Sequence, residues 1–470
     1  MTLIRKGQMK KLKKVESVIN TPGFTTIRET VNAVEAWLGS LPGQVHANVR
    51  RPLISTLNLA HMMPASALWA GDECNSHLNG PPLFYAISSG NTPFRFSNHR
   101  GDVGHTMIVG PTGSGKSVLL SLMALQFLRY PDAQVYFFDR GGSALSATLG
   151  VAGDYYDPGS KHSDLAFQPL AQIDQESELS WAFEWVIDLL IRQEVDVTPA
   201  VKKQLWSALT SLATAPLKQR TITGLIALCQ SRIVKEALEP YSIRGAHGRL
   251  LDAASDGLCQ GRWQCFEMEE IMAVPRLVFP VLLYLFHRLE SRFTLSHPTL
   301  LILDEAWLFL DNPTFRGKIR QWLKVLRKKN VSVIFATQSL ADIVTSSIVE
   351  TIVESCPTRV FLPNDSARDQ TIMPIYRKFG LNDRQIEIIA TATSKRDYYY
   401  SSHQGNRLFQ LGLGSFALSF CAGAGQDKAS LRTLVHEVGK EGFLHAYLAS
   451  KGITNSYKET FYEQASKALC

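Results

Sequence analysis

The chain has 470 residues, 45% of them apolar and 19% charged, with a formal net charge of +7. That length allows about two to three folding units around a large core, and the mild positive balance permits a polyanionic partner without arguing for one. Seven cysteines (74, 229, 259, 265, 356, 421 and 470) form no C-x-x-C pair, so free thiols in a reducing compartment are the simpler reading. Met1 to Lys14 is basic, but no apolar stretch of secretion-signal type follows it. The most apolar run, Leu277 to Phe286, is interrupted by Pro280 and falls short of the roughly 20 residues of a membrane span. The expectation is a soluble chain on the cytoplasmic side, able to dock onto a membrane complex.

Residues 8–40 carry helical spacing. Leu12, Val15, Val18 and Ile19 come before a Thr21-Pro22-Gly23 break, and Ile27, Val31, Val34 and Leu38 continue on a second helix. The cluster Lys10, Lys11, Lys13 and Lys14 reads as a solvated face, with a nucleic-acid or lipid contact as the alternative. Leu41-Pro42-Gly43 ends that segment, and the Pro-, Asn-, His- and Gly-rich stretch 44–100 reads as a lead-in containing one strand, Pro81 to Ser88.

The chain is organised around residues 105–117, HTMIVGPTGSGKS. An apolar strand, Thr106 to Val109, enters Gly110-Pro111-Thr112-Gly113-Ser114-Gly115-Lys116-Ser117, and a helical apolar pattern follows from Val118 to Leu128. This is the phosphate-binding loop in its proper strand–loop–helix setting. Glycines let backbone N–H groups close around the β- and γ-phosphates, and the helix N-terminus adds partial positive charge. Lys116 is placed to reach phosphate oxygens and the Ser117 hydroxyl to ligate Mg²⁺, so the chain is expected to bind a nucleoside triphosphate.

Gln134 to Phe138 is a second strand, ending in Asp139-Arg140-Gly141-Gly142; Asp139 either supports the Mg²⁺ from behind or caps the strand end. From about Ser163 to Ser291 the sheet-like pattern stops. Trp181–Arg192, Pro199–Ala213, Ile222–Ala237 and Val278–Phe293 read as amphipathic helices, with Trp181, Trp185 and Trp206 as core rather than base-stacking platforms. The sheet resumes at Thr299. Leu300-Leu301-Ile302-Leu303 ends in Asp304-Glu305, with Asp304 placed to hold Mg²⁺ through a water and Glu305 to orient and deprotonate an attacking water. A basic helix, Phe315 to Lys329, hides Ile319, Trp322, Leu323 and Leu326, and its cationic side faces water, a subunit or nucleic acid. Val331 to Ala336 is another buried strand; at its end Gln338 reads as a phosphate sensor or water-positioning amide, with a strand-end hydrogen bond as the alternative. Thr358–Leu362 is a further strand, Asn382–Ala392 a helix, Lys395–Ser401 and Asn406–Phe420 a terminal meander, and the tail from Asp427 is helical and polar.

With these pieces in order the chain resembles the TrbE/CagE branch of type IV secretion ATPases, the family of the fourth VirB protein, and its conjugative TrbE members most closely. The resemblance runs from about Gly23 to Gly425. It rests on SLPG at 40–43, NLAH at 58–61, GDVGHTMIVGPTGSGKSVLL at 101–120, FFDRGGS at 137–143, LILDEAW at 301–307 and ATQS at 336–339.

What it implies is an α/β, RecA-like P-loop NTPase fold of the HerA/FtsK translocase type. Its core would be 91–162 and 292–425, with a mostly helical insertion at 163–291, a remnant of an N-terminal domain and linker at 1–90, and a helical tail at 426–470. It implies Mg²⁺-dependent ATP hydrolysis that energises channel or pilus assembly and transport. It also implies a homo-oligomer, hexameric by resemblance, peripheral on the bacterial inner membrane beside other secretion subunits. Phosphate binding carries over to Gly110–Ser117, the metal-side and water-activating carboxylates to Asp304 and Glu305, and sensing to Gln338. An arginine from a neighbouring subunit would complete the site, with Arg359, Arg396 and Arg407 as candidates. Family members usually carry a substantial N-terminal domain, of which this chain is expected to hold only the end. Two alternatives stay open: a motor or coupling protein that binds DNA directly, and an ATP-binding structural subunit.

Overall fold

A computed structural model describes residues 6–21, 25–44, 46–47, 55–63, 69–88, 90–160, 163, 165–305, 313–338, 349–423 and 428–453. The chain divides into two units, Met1–Trp69 and Ala70–Cys470. The first carries helices at Lys6–Asn20, Ala33–Gly39 and Thr56–Met62, and none of its described residues is buried. The second helix starts later than its apolar spacing suggests. Ile27 and Val31 lie ahead of it, because the approach Thr25-Thr26-Ile27-Arg28-Glu29-Thr30-Val31 is rich in β-branched residues that disfavour a helix start.

The second unit is built on eleven strands: β1 Phe84–Ser88, β2 Pro93–Phe96, β3 Thr106–Val109, β4 Gln134–Asp139, β5 Asp154–Tyr156, β6 Trp263–Glu267, β7 Thr299–Leu303, β8 Val331–Thr337, β9 Thr358–Phe361, β10 Asp397–Ser402 and β11 Gly405–Gln410. They form one sheet in the order β2-β1-β11-β10-β9-β3-β8-β7-β4-β6-β5. From β9 to β5 neighbouring strands run parallel, and from β2 to β9 they run antiparallel. The sequences follow this division. β3, β7 and β8 are buried along their whole length, as strands covered on both faces must be, whereas β1 alternates buried and exposed positions.

Four expectations change. Trp263–Glu267, inside the stretch 163–291 where no sheet was foreseen, is β6 and pairs in parallel with both β4 and β5. Its apolar run is broken by Gln264, which is fully buried because its amide donates to the Cys259 carbonyl and accepts from Arg292. Residues 81–88, placed in a lead-in, supply β1 of the main sheet. The helix foreseen over Ile222–Ala237 is two, Ile222–Leu228 and Arg232–Leu238, because Cys229 turns extended and the Ser231 hydroxyl caps the second at Val234 N–H. The strand foreseen over Asn406–Phe420 ends at Gln410, and Ser415–Cys421 is a helix.

The helices between β5 and β7 share one continuous core with the sheet. Trp185 lies in it and donates its indole N–H to the Pro280 carbonyl at 3.0 Å. Trp181 stacks on His287, while Trp206 remains 42% exposed and is not a core residue. The helix Lys428–Ser450 is less polar in effect than its composition suggests, since Leu431, Phe443 and Tyr447 pack against Leu145, Leu149 and Phe420. The described cysteines form no disulfide. Among the described residues no helix is long and apolar enough to cross a membrane.

Candidate nucleotide site

β3 lies between β8 and β9, and β8 separates it from β7. The carboxyl ends of β3, β8 and β7 therefore deliver the loop after Val109, Gln338 and the Asp304-Glu305 pair to adjacent points. This is where ligands sit in parallel α/β sheets. The Gly110 N–H donates to the Thr337 carbonyl at 3.1 Å, joining the loop to β8 at its start.

Two glycines are required by their surroundings. A Cβ on Gly110 would lie 2.4 Å from Cβ of Leu362. Gly115, at φ +106°, precedes the helix Lys116–Phe127, and a Cβ there would lie 2.7 Å from the Tyr398 hydroxyl and 3.3 Å from Cα of Lys395. The loop is held from behind by that same pair: Tyr398 donates its hydroxyl to the Gly115 carbonyl at 3.2 Å, and the Lys395 N–H donates to the Ser114 carbonyl at 3.0 Å. Within the loop the Ser114 hydroxyl closes on the Pro111 carbonyl at 2.6 Å.

The charged centre is compact. Lys116 Nζ lies 2.6 Å from Glu305 Oε1 and 3.0 Å from Asp304 Oδ1, and all three side chains are buried. Gln338 Nε2 donates to Glu305 Oε1 at 2.5 Å, and the Thr112 hydroxyl donates to Gln338 Oε1. Gln338 thus bridges the loop and the carboxylates, a role beyond a strand-end hydrogen bond. Glu305 sits at φ +56°, a conformation that non-glycine residues adopt at some cost and that sets its carboxylate toward Lys116. Burial pushes the Asp304 carboxyl above its usual range, the Lys116 ammonium pulls it back, and Glu305 pushes it up again. Two acids sharing one buried cation make a site short of positive charge, as a metal–phosphate site should be. The oxygen donors of Ser117, in the first turn of its helix, and Asp304 suit a hard cation such as Mg²⁺.

Asp139, fully buried at the end of β4, accepts from the Ser143 hydroxyl at 2.7 Å and from the Ala144 N–H at 2.8 Å. Both of its oxygens serve the strand-end turn, which is the capping role. Burial raises its carboxyl to about 7, with Glu267 and then Asp304 adding to the rise. Glu267, at the end of β6, was not singled out in the sequence. It accepts from Gly141 N–H at 3.0 Å, from Glu269 N–H at 3.0 Å, and from the Tyr155 hydroxyl and Lys428. A signal existed: like Asp304, it ends an apolar run.

The three arginines differ. Arg359, on β9, donates to the Phe379 and Val353 carbonyls at 2.8 Å each. Arg407, on β11, donates to the Thr92 hydroxyl at 3.1 Å. Arg396 is exposed and follows Lys395, whose backbone touches the loop. Lys395, Tyr398 and Leu362 were missed by sequence reasoning, because only the sheet order brings their strands to the loop. Trp307 and Ser339, at the ends of the LILDEAW and ATQS stretches, lie outside the described residues.

A parallel sheet in which a polar-ended strand separates the phosphate-loop strand from the carboxylate strand, with lysine and paired acids meeting between them, defines a RecA-like P-loop NTPase domain. Residues 231–404 match the TraG P-loop domain family. The chain is 45% identical over 457 residues to the conjugal transfer protein TrbE of Rhizobium radiobacter, covering 95% of this chain and 55% of that protein. It is 43% identical over 450 residues to a probable conjugal transfer protein TrbE of Sinorhizobium fredii, covering 94% of this chain and 68% of that one. Among solved structures, VirB4 of Thermoanaerobacter pseudethanolicus shares the fold at a TM-score of 0.57 and 15% identity, over 72% of this chain and 98% of that one. The chain belongs to the TrbE family of conjugal transfer proteins. It spans about half the length of the Rhizobium radiobacter relative.

Proposed function

We propose that this chain hydrolyses ATP and thereby energises conjugative transfer through a type IV secretion apparatus. The observation that carries the reading is the buried triangle of Lys116, Asp304 and Glu305, tied to the phosphate loop through Gln338 and Thr112. ATP phosphates entering the loop offer Lys116 oxygens to replace its two carboxylate partners. That exchange frees Asp304 for the metal side and Glu305 for the water side. Glu305 then orients a water toward the γ-phosphorus and accepts its proton as the bond to the β-phosphate oxygen breaks. Mg²⁺, held by the Ser117 hydroxyl and by Asp304, supplies neutralising charge on the phosphates when bound. Gln338, bonded to loop and carboxylate together, reports whether the γ-phosphate is present.

The choice of ATP, the hexameric assembly, the secretion partners and the station at the cytoplasmic face of the inner membrane rest on family kinship. Arg396 is the preferred arginine for a neighbour's site, since Arg359 and Arg407 are already engaged within the chain. The direct experiment is phosphate release from ATP with Mg²⁺ present or chelated. Release that requires the metal is expected. No release above the Lys116→Ala background, while nucleotide still binds, would move the site to a structural role.

A further inference from the structure

The helix Lys6–Asn20 is fifteen residues long, and its apolar side chains are left open. Leu12, Val15, Val18 and Ile19 are 41, 54, 65 and 42% exposed and recur at helical spacing, so they share one side of the helix. Lys11, Lys13 and Lys14 are exposed as well, and the sequence adds Lys6 and Lys10 to the same helix. Its one acid, Glu16, is taken up by Arg28 at 2.6 Å. A helix of this length is marginal in water without a surface to cover its apolar face. The next helix repeats the situation, with Val34 and Trp37 66 and 62% exposed.

Charge decides what covers this face. Lysine is depleted from the buried centres of protein–protein contacts. A lysine-rich polar side beside an open aliphatic side is instead the pattern of helices that lie in the headgroup layer of an anionic bilayer, and a nearby tryptophan suits that layer too. We propose that the helix Lys6–Asn20 docks on an anionic lipid surface, its Leu12–Val15–Val18–Ile19 side entering the headgroup boundary and its lysines meeting the lipid phosphates. The proposal deepens the membrane-side station proposed above and is independent of the nucleotide chemistry, so either can fail without the other.

The test is co-sedimentation of the full chain with vesicles of phosphatidylcholine alone or mixed with phosphatidylglycerol. Binding to the mixed vesicles only, weakening with salt, is expected. The pair Val15→Asp/Val18→Asp and the triple Lys11→Gln/Lys13→Gln/Lys14→Gln should each lower partitioning by at least about tenfold. Phosphate release without vesicles should be unchanged in both. The lysine triple alters no packed residue, so it reads the proposal even if the valine pair folds poorly. Failure of the wild type to bind the mixed vesicles, or equal binding by the lysine triple, overturns it. So does self-association of the wild type through this helix, lost in the variants, with no vesicle binding.

Discussion

The two ends of the parallel strands both bury titratable side chains, and they do so in opposite ways. At the carboxyl ends Lys116, Asp304 and Glu305 stay together as a buried charged cluster. At the amino ends of β3 and β8 the buried groups are neutral histidines. Val333 N–H donates to His105 Nδ1 at 3.1 Å, so the ring proton must be on Nε2, 3.2 Å from the Leu323 carbonyl. His99 is enclosed by Asn75, Asn98 and Ser332. Burial pushes His99 down to about 3, with His77, His105 and Arg100 adding to the fall, and burial likewise pushes His105 down to about 4. A neutral, fully bonded imidazole belongs to the packing of the sheet. An ion cluster in which one cation serves two acids is costly unless a ligand with the missing charge uses it.

That contrast can be broken at either end. The largest effect is expected from Lys116→Ala, which should lower hydrolysis by at least about a thousandfold and leave the circular-dichroism spectrum native. Turnover within a few fold of wild type would remove the site assignment. At the other end His105→Ala should cost about 2–4 kcal/mol in denaturant unfolding, since Val333 N–H and Leu323 C=O lose their partner. The folded fraction should hydrolyse ATP at the normal rate; a selective loss of turnover would show the histidine end to be functional.

The smallest effect lies in pH dependence. Asp139 holds its proton up to about 7 in the folded state, against 3.8 ordinarily. Between those values the native chain keeps a proton that the unfolded chain releases, so this group lowers stability as pH rises. The two histidines act with the opposite sign: as pH falls below 6.5 the unfolded chain takes up protons that the native chain refuses until about 4 and 3. Asp139→Asn removes the opposing contribution. Its melting temperature should therefore climb more steeply than that of the wild type between about pH 4 and 6.5. Parallel curves would show that Asp139 is ionised in the native state.

Sequence reasoning reached the phosphate loop, Asp304-Glu305 and Gln338 because each is a local pattern: an apolar strand, then the residue its chemistry needs. It reached the parallel sheet for the same reason. It did not reach β6, where Gln264 interrupts the apolar run and only a buried hydrogen-bond pair makes a strand possible. Nor did it reach Tyr398 and Lys395, whose approach to Gly115 and Ser114 depends on β10 lying two strands from β3 across β9. Arg359 looked as available as Arg396 in the sequence; the two carbonyls that hold it come from Val353 and Phe379, on either side of it in the chain.

The measurement that bears most directly on the central claim pairs nucleotide binding with hydrolysis in Glu305→Gln across protein concentration. The substitution keeps the size of the side chain and its hydrogen bond to Gln338 but removes the base. Wild-type turnover per subunit is expected to rise with concentration as neighbouring sites are completed. The variant should bind ATP as the wild type does and hydrolyse it at least about a hundredfold more slowly. A variant that turns over at the wild-type rate would contradict the proposed mechanism, because Glu305 would then not be the group that activates water.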